Sequence, residues 1–381
     1  MPLFDDLDLS PNQLELVRQR VAATTGYIDL TSSNPTVQGL LFPPGILAAA
    51  AATYWPTRRY TPDPRGNPAA RTAIAHFYTT RTPPLALDLD DIFITASTSE
   101  AYSLLFALLC EAGDNLLVPS ISYPLFEYLA AVQRIELRSY ALDPQRGWQL
   151  DPLSLLAAID ARTRAILIVS PHNPTGMVIQ QPQPALIQAG LPIICDEVFA
   201  AMPYGVPNVP PLAALHPTLP IFTLNGISKL FALPDLKLGW IALNAPARTA
   251  YAAQLELLND TYLSCSSLIQ HMLPTLFAQG MPFVQHMAAT VRANLDWARA
   301  TLAACPALPH IPTPDGGYYL FVPVPHARDE EALVLRLLEQ GVLVHPGYFY
   351  GEPPESYIML SALTARPQLE QGVRRLCALL E

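Results

Sequence analysis

Two lysines, Lys229 and Lys237, stand eight residues apart in NGISKLFALPDLKLGW, and every other basic residue among the 22 in this 381-residue chain is arginine. Lys229 lies just beyond the apolar run Ile221–Leu224. A lysine at the end of a buried strand is costly unless it is paired, neutral or covalently used. Other residues with chemical potential sit in similar places. Asp196 follows the run LPIIC and is either a helix cap or the partner of a buried cation. Asn173 lies in SPHNPTG, where Pro and Gly mark a tight turn, and its amide can donate into a site. His172 beside it has no second metal ligand at a suitable spacing. Tyr123 can stack on a flat ligand or be a plain loop aromatic. Ser97 and Glu100 have capping-box spacing, so a helix starts there, and a helix start with the hydroxyls of Thr98 and Ser99 is an anion site. Each of these motifs, taken singly, has a plain structural reading.

The elements that must position these residues follow from hydrophobic pattern. Short continuous apolar runs at Ile92–Thr95, Asn115–Pro119, Ala165–Val169, Leu191–Cys195, Ile221–Leu224 and Trp240–Leu243 read as strands covered on both faces. Helical patterns such as Glu100–Ala112 and Leu125–Val132 lie between them. This alternation predicts an α/β fold: a large domain with a mostly parallel, doubly wound sheet. It should span about 46–280. Beyond it, Phe283–Ala304 reads as a long helix, followed by GGYYLFVPV, a helix at Asp329–Gln340, GVLVHPG, YIMLSAL and a helix at Gln368–Leu380. That pattern predicts a smaller α+β domain over 281–381 with an antiparallel sheet. Residues 1–45 open with a helix at Pro11–Ala23 and an extended DLTSSNPT, an arm expected to form part of the small domain.

Composition narrows the function. A chain that is 51% hydrophobic and 14% charged buries a large core and is not disordered. A net charge of −10 argues against nucleic acid and anionic membranes as partners. No apolar run is long enough to span a bilayer. The opening MPLFDDLDLS is acidic and unlike a secretory leader, so a cytoplasmic location is expected. The five cysteines are far apart and form no metal or redox spacing, and Cys195 reads as a core residue. The 40 prolines are scattered at segment edges and read as stiffened loops.

In an open parallel sheet, ligands bind beyond the carboxyl ends of the strands. Five consecutive strand ends here carry an anion nest, an aromatic, an amide donor, a carboxylate and a lysine. SPHNPTG, the DEVF after a strand, and SKLFALPDLKLG together resemble the fold-type I pyridoxal-phosphate enzymes, in particular the class I/II aminotransferases. The resemblance runs from about Asp29 to the C-terminus. It implies pyridoxal 5'-phosphate as cofactor, a small-molecule amino donor and a keto acceptor. It assigns Lys229 the Schiff base with the cofactor and the proton shuttle. By the same resemblance Asp196 pairs with the pyridine nitrogen, Asn173 donates to the phenolate oxygen and Tyr123 stacks on the ring. Thr98, Ser99 and Lys237 hold the phosphate, Ser228 joins the cofactor site, and Tyr60 reaches the phosphate of a neighbouring subunit, which implies a homodimer with shared sites.

The sequence also departs from that family. The phosphate cation is Lys237 where arginine is usual, and Gly226 stands where a phosphate-binding serine is common. Phe199 replaces a tyrosine that donates to the phenolate. Met359, in YIMLS, replaces the arginine that grips the substrate carboxylate, a loss worth about 1.5–3 kcal/mol per charged hydrogen bond. Asn34 lies where a loop covers the substrate, and Arg58, Arg59 and Arg366 are candidate replacements for the missing cation. An aminotransferase is the leading expectation. A lyase, decarboxylase or cyclase on the same site is the alternative, since fold does not fix reaction type. A non-catalytic ligand sensor is disfavoured by the presence of both Lys229 and Asp196.

Overall fold

The computed structural model describes residues 9–263, 265–308, 310–327 and 329–380, so most of the acidic opening stretch lies outside the described residues. The arm begins with a helix, Gln13–Thr24, whose first turn is capped by Asn12 accepting from the Glu15 N–H, and continues into strand β1 (Ile28–Asp29). Then come β2 (Ile92–Thr95), β3 (Asn115–Pro119), β4 (Glu136–Tyr140), and a hairpin of β5 (Leu142–Asp143) and β6 (Gln149–Leu150). β7 (Thr163–Val169), β8 (Ile193–Asp196), β9 (Ile221–Gly226) and β10 (Gly239–Leu243) follow.

Seven of these strands form one sheet in the order β2-β10-β9-β8-β7-β3-β4. The strands from β9 to β4 pair in parallel. β10 is antiparallel to both β9 and β2, so β2 runs in the same direction as β9. Six strands therefore bring their carboxyl ends to one rim, and β10 brings its amino end to the same rim. Side chains alternate across the sheet, as strand geometry requires. Ile166, Ile193, Ile221 and Trp240 join a core layer on one face, while Leu167, Ile194, Phe222 and Ile241 join the layer on the other. Both faces are covered by helices, which is the doubly wound arrangement.

The expected strands are all present, with Asp196 as the last residue of β8 and not the first residue after it. β4 lies outside the expected set. It is an edge strand, buried only at Tyr140, so it lacks the continuous apolar run of a central strand. The prolines have a structural use: helices Pro44–Ala52, Pro68–Thr79, Pro152–Ala157 and Pro184–Ala189 each begin on one. Proline suits that position because the first N–H of a helix has no partner to lose.

The C-terminal part contains β11 (Tyr319–Pro323), β12 (Val342–Leu343), β13 (His345–Pro346) and β14 (Tyr357–Ser361). β14 lies antiparallel between β11 and β13. β1 pairs in parallel with β12, and helix Gln13–Thr24 packs on helix Glu330–Glu339, so the N-terminal arm joins this part. One expectation is corrected. The long helix is Ser267–Ala303 and starts 16 residues before Phe283, so it runs across 280–281. Pro274 and Pro282 lie inside it and read as breaks in the sequence. Packing against helices Pro44–Ala52 and Pro68–Thr79 holds the helix together through them.

Candidate active site

The rim described above encloses a cavity of 290 Å³. At its β2 end, Ser97 is in extended backbone and caps helix Thr98–Leu109, its hydroxyl accepting from the Glu100 N–H at 3.1 Å. The Glu100 carboxylate turns back to accept from the Ala96 N–H. The N–H groups of Thr98 and Ser99 have no intrahelical acceptor, like those of any first turn, and both residues line the cavity. Gly239, the first residue of β10, lets the two segments meet: a Cβ there would lie 2.8 Å from the Thr98 nitrogen. Two residues earlier Lys237 lines the same region with left-handed backbone, φ 51°.

β8 delivers Asp196, buried at the cavity wall. Tyr102 donates to its Oδ2 at 2.7 Å and the Val198 N–H donates to its Oδ1 at 2.9 Å. Burial pushes the carboxyl up to about 6, and the Tyr102 and Val198 hydrogen bonds pull against that rise. The next residue, Glu197, belongs to the core, where it pairs with the partly buried Arg81 at 3.1 Å and accepts from the Leu212 N–H. The two adjacent carboxylates are thus divided between the cavity and the core. β7 leads to Asn173, buried beside the cavity, with Oδ1 making no hydrogen bond among the described residues. His172 does not reach the cavity. Its ring is buried, Nδ1 lies 2.8 Å from the Thr175 hydroxyl, and burial pulls its pKa down to about 4. It supports the turn.

β9 delivers Ser228 and Lys229 on a single helical turn, Ile227–Leu230, and both line the cavity. Lys229 Nζ donates to the Ser33 carbonyl at 3.2 Å and stands 5.8 Å from the Tyr318 ring centre. Burial lowers its pKa, against the pull of Tyr123 and Asp196. Tyr123 lines the mouth, half exposed, with its ring edge-on to Phe126 at 6.0 Å. Phe199 lines the far wall and meets the Tyr318 ring edge-on at 5.0 Å.

Nine of the expected site residues thus surround one space: Thr98, Ser99, Tyr123, Asn173, Asp196, Phe199, Ser228, Lys229 and Lys237. Three do not. Tyr60 is exposed on a loop away from the cavity. Asn34 is exposed, and its side chain folds back to accept from the Thr36 N–H and hydroxyl. Met359 is buried in β14, opposite Phe321 of β11 and His345 of β13. Of the candidate cations, Arg366 is committed elsewhere: it bonds Glu370 and the Ala293 carbonyl and stacks on Trp297. The sequence reading missed Ser33, Tyr102 and Tyr319, which also line the cavity. Tyr102 falls on an apolar helix face and reads as core, and Ser33 touches Lys229 through a carbonyl, which no side-chain pattern marks.

The comparisons with known proteins agree with this geometry. Residues 25–376 match the family model of aminotransferase class I and II. This chain belongs to that family. A nicotianamine aminotransferase of Oryza sativa subsp. japonica is 33% identical over 220 residues, 55% of this chain and 44% of the relative. A tyrosine aminotransferase of Dictyostelium discoideum is 32% identical over 244 residues, 62% of this chain and 58% of the relative. The matched region therefore spans about half the length of those relatives. A glutamate-pyruvate aminotransferase of Haemophilus influenzae matches over 93% of this chain and 90% of its own length at 27% identity. The alanine aminotransferase structure from Pyrococcus furiosus has the same fold, with TM-score 0.90 at 21% identity over 100% of this chain and 99% of that one.

Proposed function

We propose that this protein is a pyridoxal-phosphate-dependent aminotransferase that moves an amino group between an amino acid or amine and a keto acceptor. One observation carries the proposal: Lys229, Asp196, Asn173 and the start of helix Thr98–Leu109 with Lys237 face a single cavity. The donor set suits the cofactor. First-turn N–H groups and an ammonium at one end fit a phosphate. A buried carboxylate with no lysine or arginine bonded to it fits a cationic ring nitrogen, and Asn173 lines the cavity, where its amide N–H can donate to the phenolate oxygen. Tyr123 offers a ring to stack on.

When bound, pyridoxal phosphate supplies an aldehyde that captures amines and a ring that draws electrons from the carbon bearing them. The protein does the rest. Thr98, Ser99 and Lys237 fix the phosphate end, and Asp196 holds positive charge on the ring nitrogen. Lys229 Nζ, its pKa lowered by burial, serves as nucleophile and base, and it moves a proton to and from the substrate carbon. Ser33 and Tyr319 close the substrate side. Tyr60 from a second copy of the chain completes the phosphate site in a homodimer.

The test is the visible absorbance of the cofactor-loaded protein beside Lys229→Ala. Wild type should show a band that the variant lacks. An amino donor should remove it and a keto acid should restore it, with turnover by the variant lower by about 10⁴-fold or more. Identical spectra for the two proteins would overturn the proposal. One observation favours a second reading: among the described residues, the two cations lining the cavity are Lys229 and Lys237, both engaged with the cofactor on this account. A substrate carboxylate then has no guanidinium from this chain, as a decarboxylase or lyase would tolerate. Loss of the donor without restoration by any keto acid would select that reading.

A further inference from the structure

We infer that Tyr102 is a positioning residue: its hydroxyl holds Asp196 as the carboxylate, and so keeps the shared proton on the cofactor's ring nitrogen. The inference rests on the aminotransferase reading above and names a device within that site.

The Tyr102 hydroxyl lies 2.7 Å from Asp196 Oδ2, and both groups are buried. The tyrosine ring is fixed by edge contact with Phe126 at 5.0 Å and by Phe106 at 6.0 Å, so the hydroxyl cannot swing away without repacking the core. Asp196 Oδ1 takes the Val198 N–H. Each carboxylate oxygen keeps a lone pair for a ligand in the cavity. Other groups act on Asp196 as well. Glu197 raises its proton affinity, with its own charge matched by Arg81, and Lys229 lowers it. Burial raises it most.

A proton shared between a carboxylate and a ring nitrogen sits on the more basic partner. A neutral O–H donor stabilises the charged carboxylate over the protonated acid. Burial alone would draw the proton onto Asp196, leaving an uncharged ring that is a poor electron sink. Tyr102 opposes this. Its own phenol stays protonated, because burial and the adjacent Asp196 charge push its pKa well above the usual range. It can only donate. A merely space-filling tyrosine would cost stability on truncation but would leave the proton where it was.

The experiment uses the full-length, cofactor-loaded enzyme with the ring nitrogen labelled with ¹⁵N. Tyr102→Phe keeps the ring and removes only the hydroxyl. The ¹⁵N resonance should move toward the unprotonated form, and kcat should fall about tenfold or more while KM changes less, since one unit of relative basicity is a factor of ten. In an Asp196→Asn background the same substitution should move the resonance no further. Replacing Tyr102 with 3-fluorotyrosine, a stronger donor of nearly the same shape, should move it the opposite way and covers the case that Tyr102→Phe loads cofactor poorly. An unmoved resonance in a protein that retains the Lys229-dependent band overturns this inference alone, as does an equal shift in the Asp196→Asn background. Absence of that band in wild type overturns the aminotransferase reading and this inference with it.

Discussion

Burial shifts the titratable side chains near the site, and it acts on acids and bases with opposite sign. His172 is buried with its pKa lowered to about 4. In the unfolded chain it titrates near 6.5. A base whose folded pKa is depressed contributes stability that is complete above the unfolded value. That contribution shrinks as pH falls from about 6.5 to about 4, by up to about 3 kcal/mol. Asp196 has the reverse slope in the cofactor-free protein. Its pKa is raised to about 6, so its contribution is complete below the unfolded value near 4 and is lost as pH rises through 6. Urea unfolding between pH 4.5 and 7.5 should therefore show a shallower acid loss in His172→Gln than in wild type, and a steeper one in Asp196→Asn. Parallel profiles for all three would mean that neither burial is complete. The sequence made Lys229 and Asp196 legible because a charge at the end of an apolar strand is expensive, and Asn173 because it sits in a Pro- and Gly-marked turn after one. It could not reveal Tyr102, because a tyrosine among leucines on a helix face is ordinary core until the strand end opposite it is known.

Among the elements, the junction between β10 and helix Thr98–Leu109 is where backbone approach sets the chemistry. Gly239 is extended, so it is not needed for its conformational freedom; it is needed for its missing side chain. A Cβ there would fall 2.8 Å from both the Ser97 carbonyl carbon and the Thr98 nitrogen, which are backbone atoms that cannot rotate away. Gly239→Ala should push the helix start outward, misaim the Thr98 and Ser99 N–H groups, and weaken cofactor binding by about 10-fold or more, as loss of one to two charge-assisted hydrogen bonds implies. Equilibrium dialysis of the cofactor against wild type and Gly239→Ala measures this, and unchanged affinity would show that the nest tolerates displacement. The helix start itself was readable from Ser97 and Glu100, since capping uses side chains. The contact with Gly239 was not, because β10 enters antiparallel and a strand's direction leaves no mark on its hydrophobic pattern. β4 was hidden for a different reason: its half-exposed edge carries no apolar run.

For the whole molecule, the sequence made the α/β alternation plain because central strands must be apolar on both faces, whereas the long helix was obscured by prolines that tertiary packing overrides. What one chain leaves exposed bears on assembly. Trp55, Tyr60, Tyr262 and Leu263 are all exposed large hydrophobics. Trp55 and Tyr60 lie on the segment that meets the start of helix Ser267–Ala303, where Tyr54, Thr57 and Arg59 face Gln270 and His271. Tyr262 and Leu263 lead into that helix. Exposed aromatic side chains of this kind suit the association surface of the proposed homodimer. Sedimentation should give twice the chain mass of 41.6 kDa. Sharing of sites makes a sharper prediction. Tyr60→Ala and Lys229→Ala should each be impaired when pure. If Tyr60 serves the site of the other subunit, a hybrid of the two variants pairs the intact Lys229 of one chain with the intact Tyr60 of the other. One of its two sites is then complete, and unfolding and refolding an equimolar mixture should recover about a quarter of wild-type activity: half of the dimers are hybrids and each has one of two sites restored. If Tyr60 acts within its own chain, the hybrid contains no complete site, and the mixture should stay at the mean of the two pure variants.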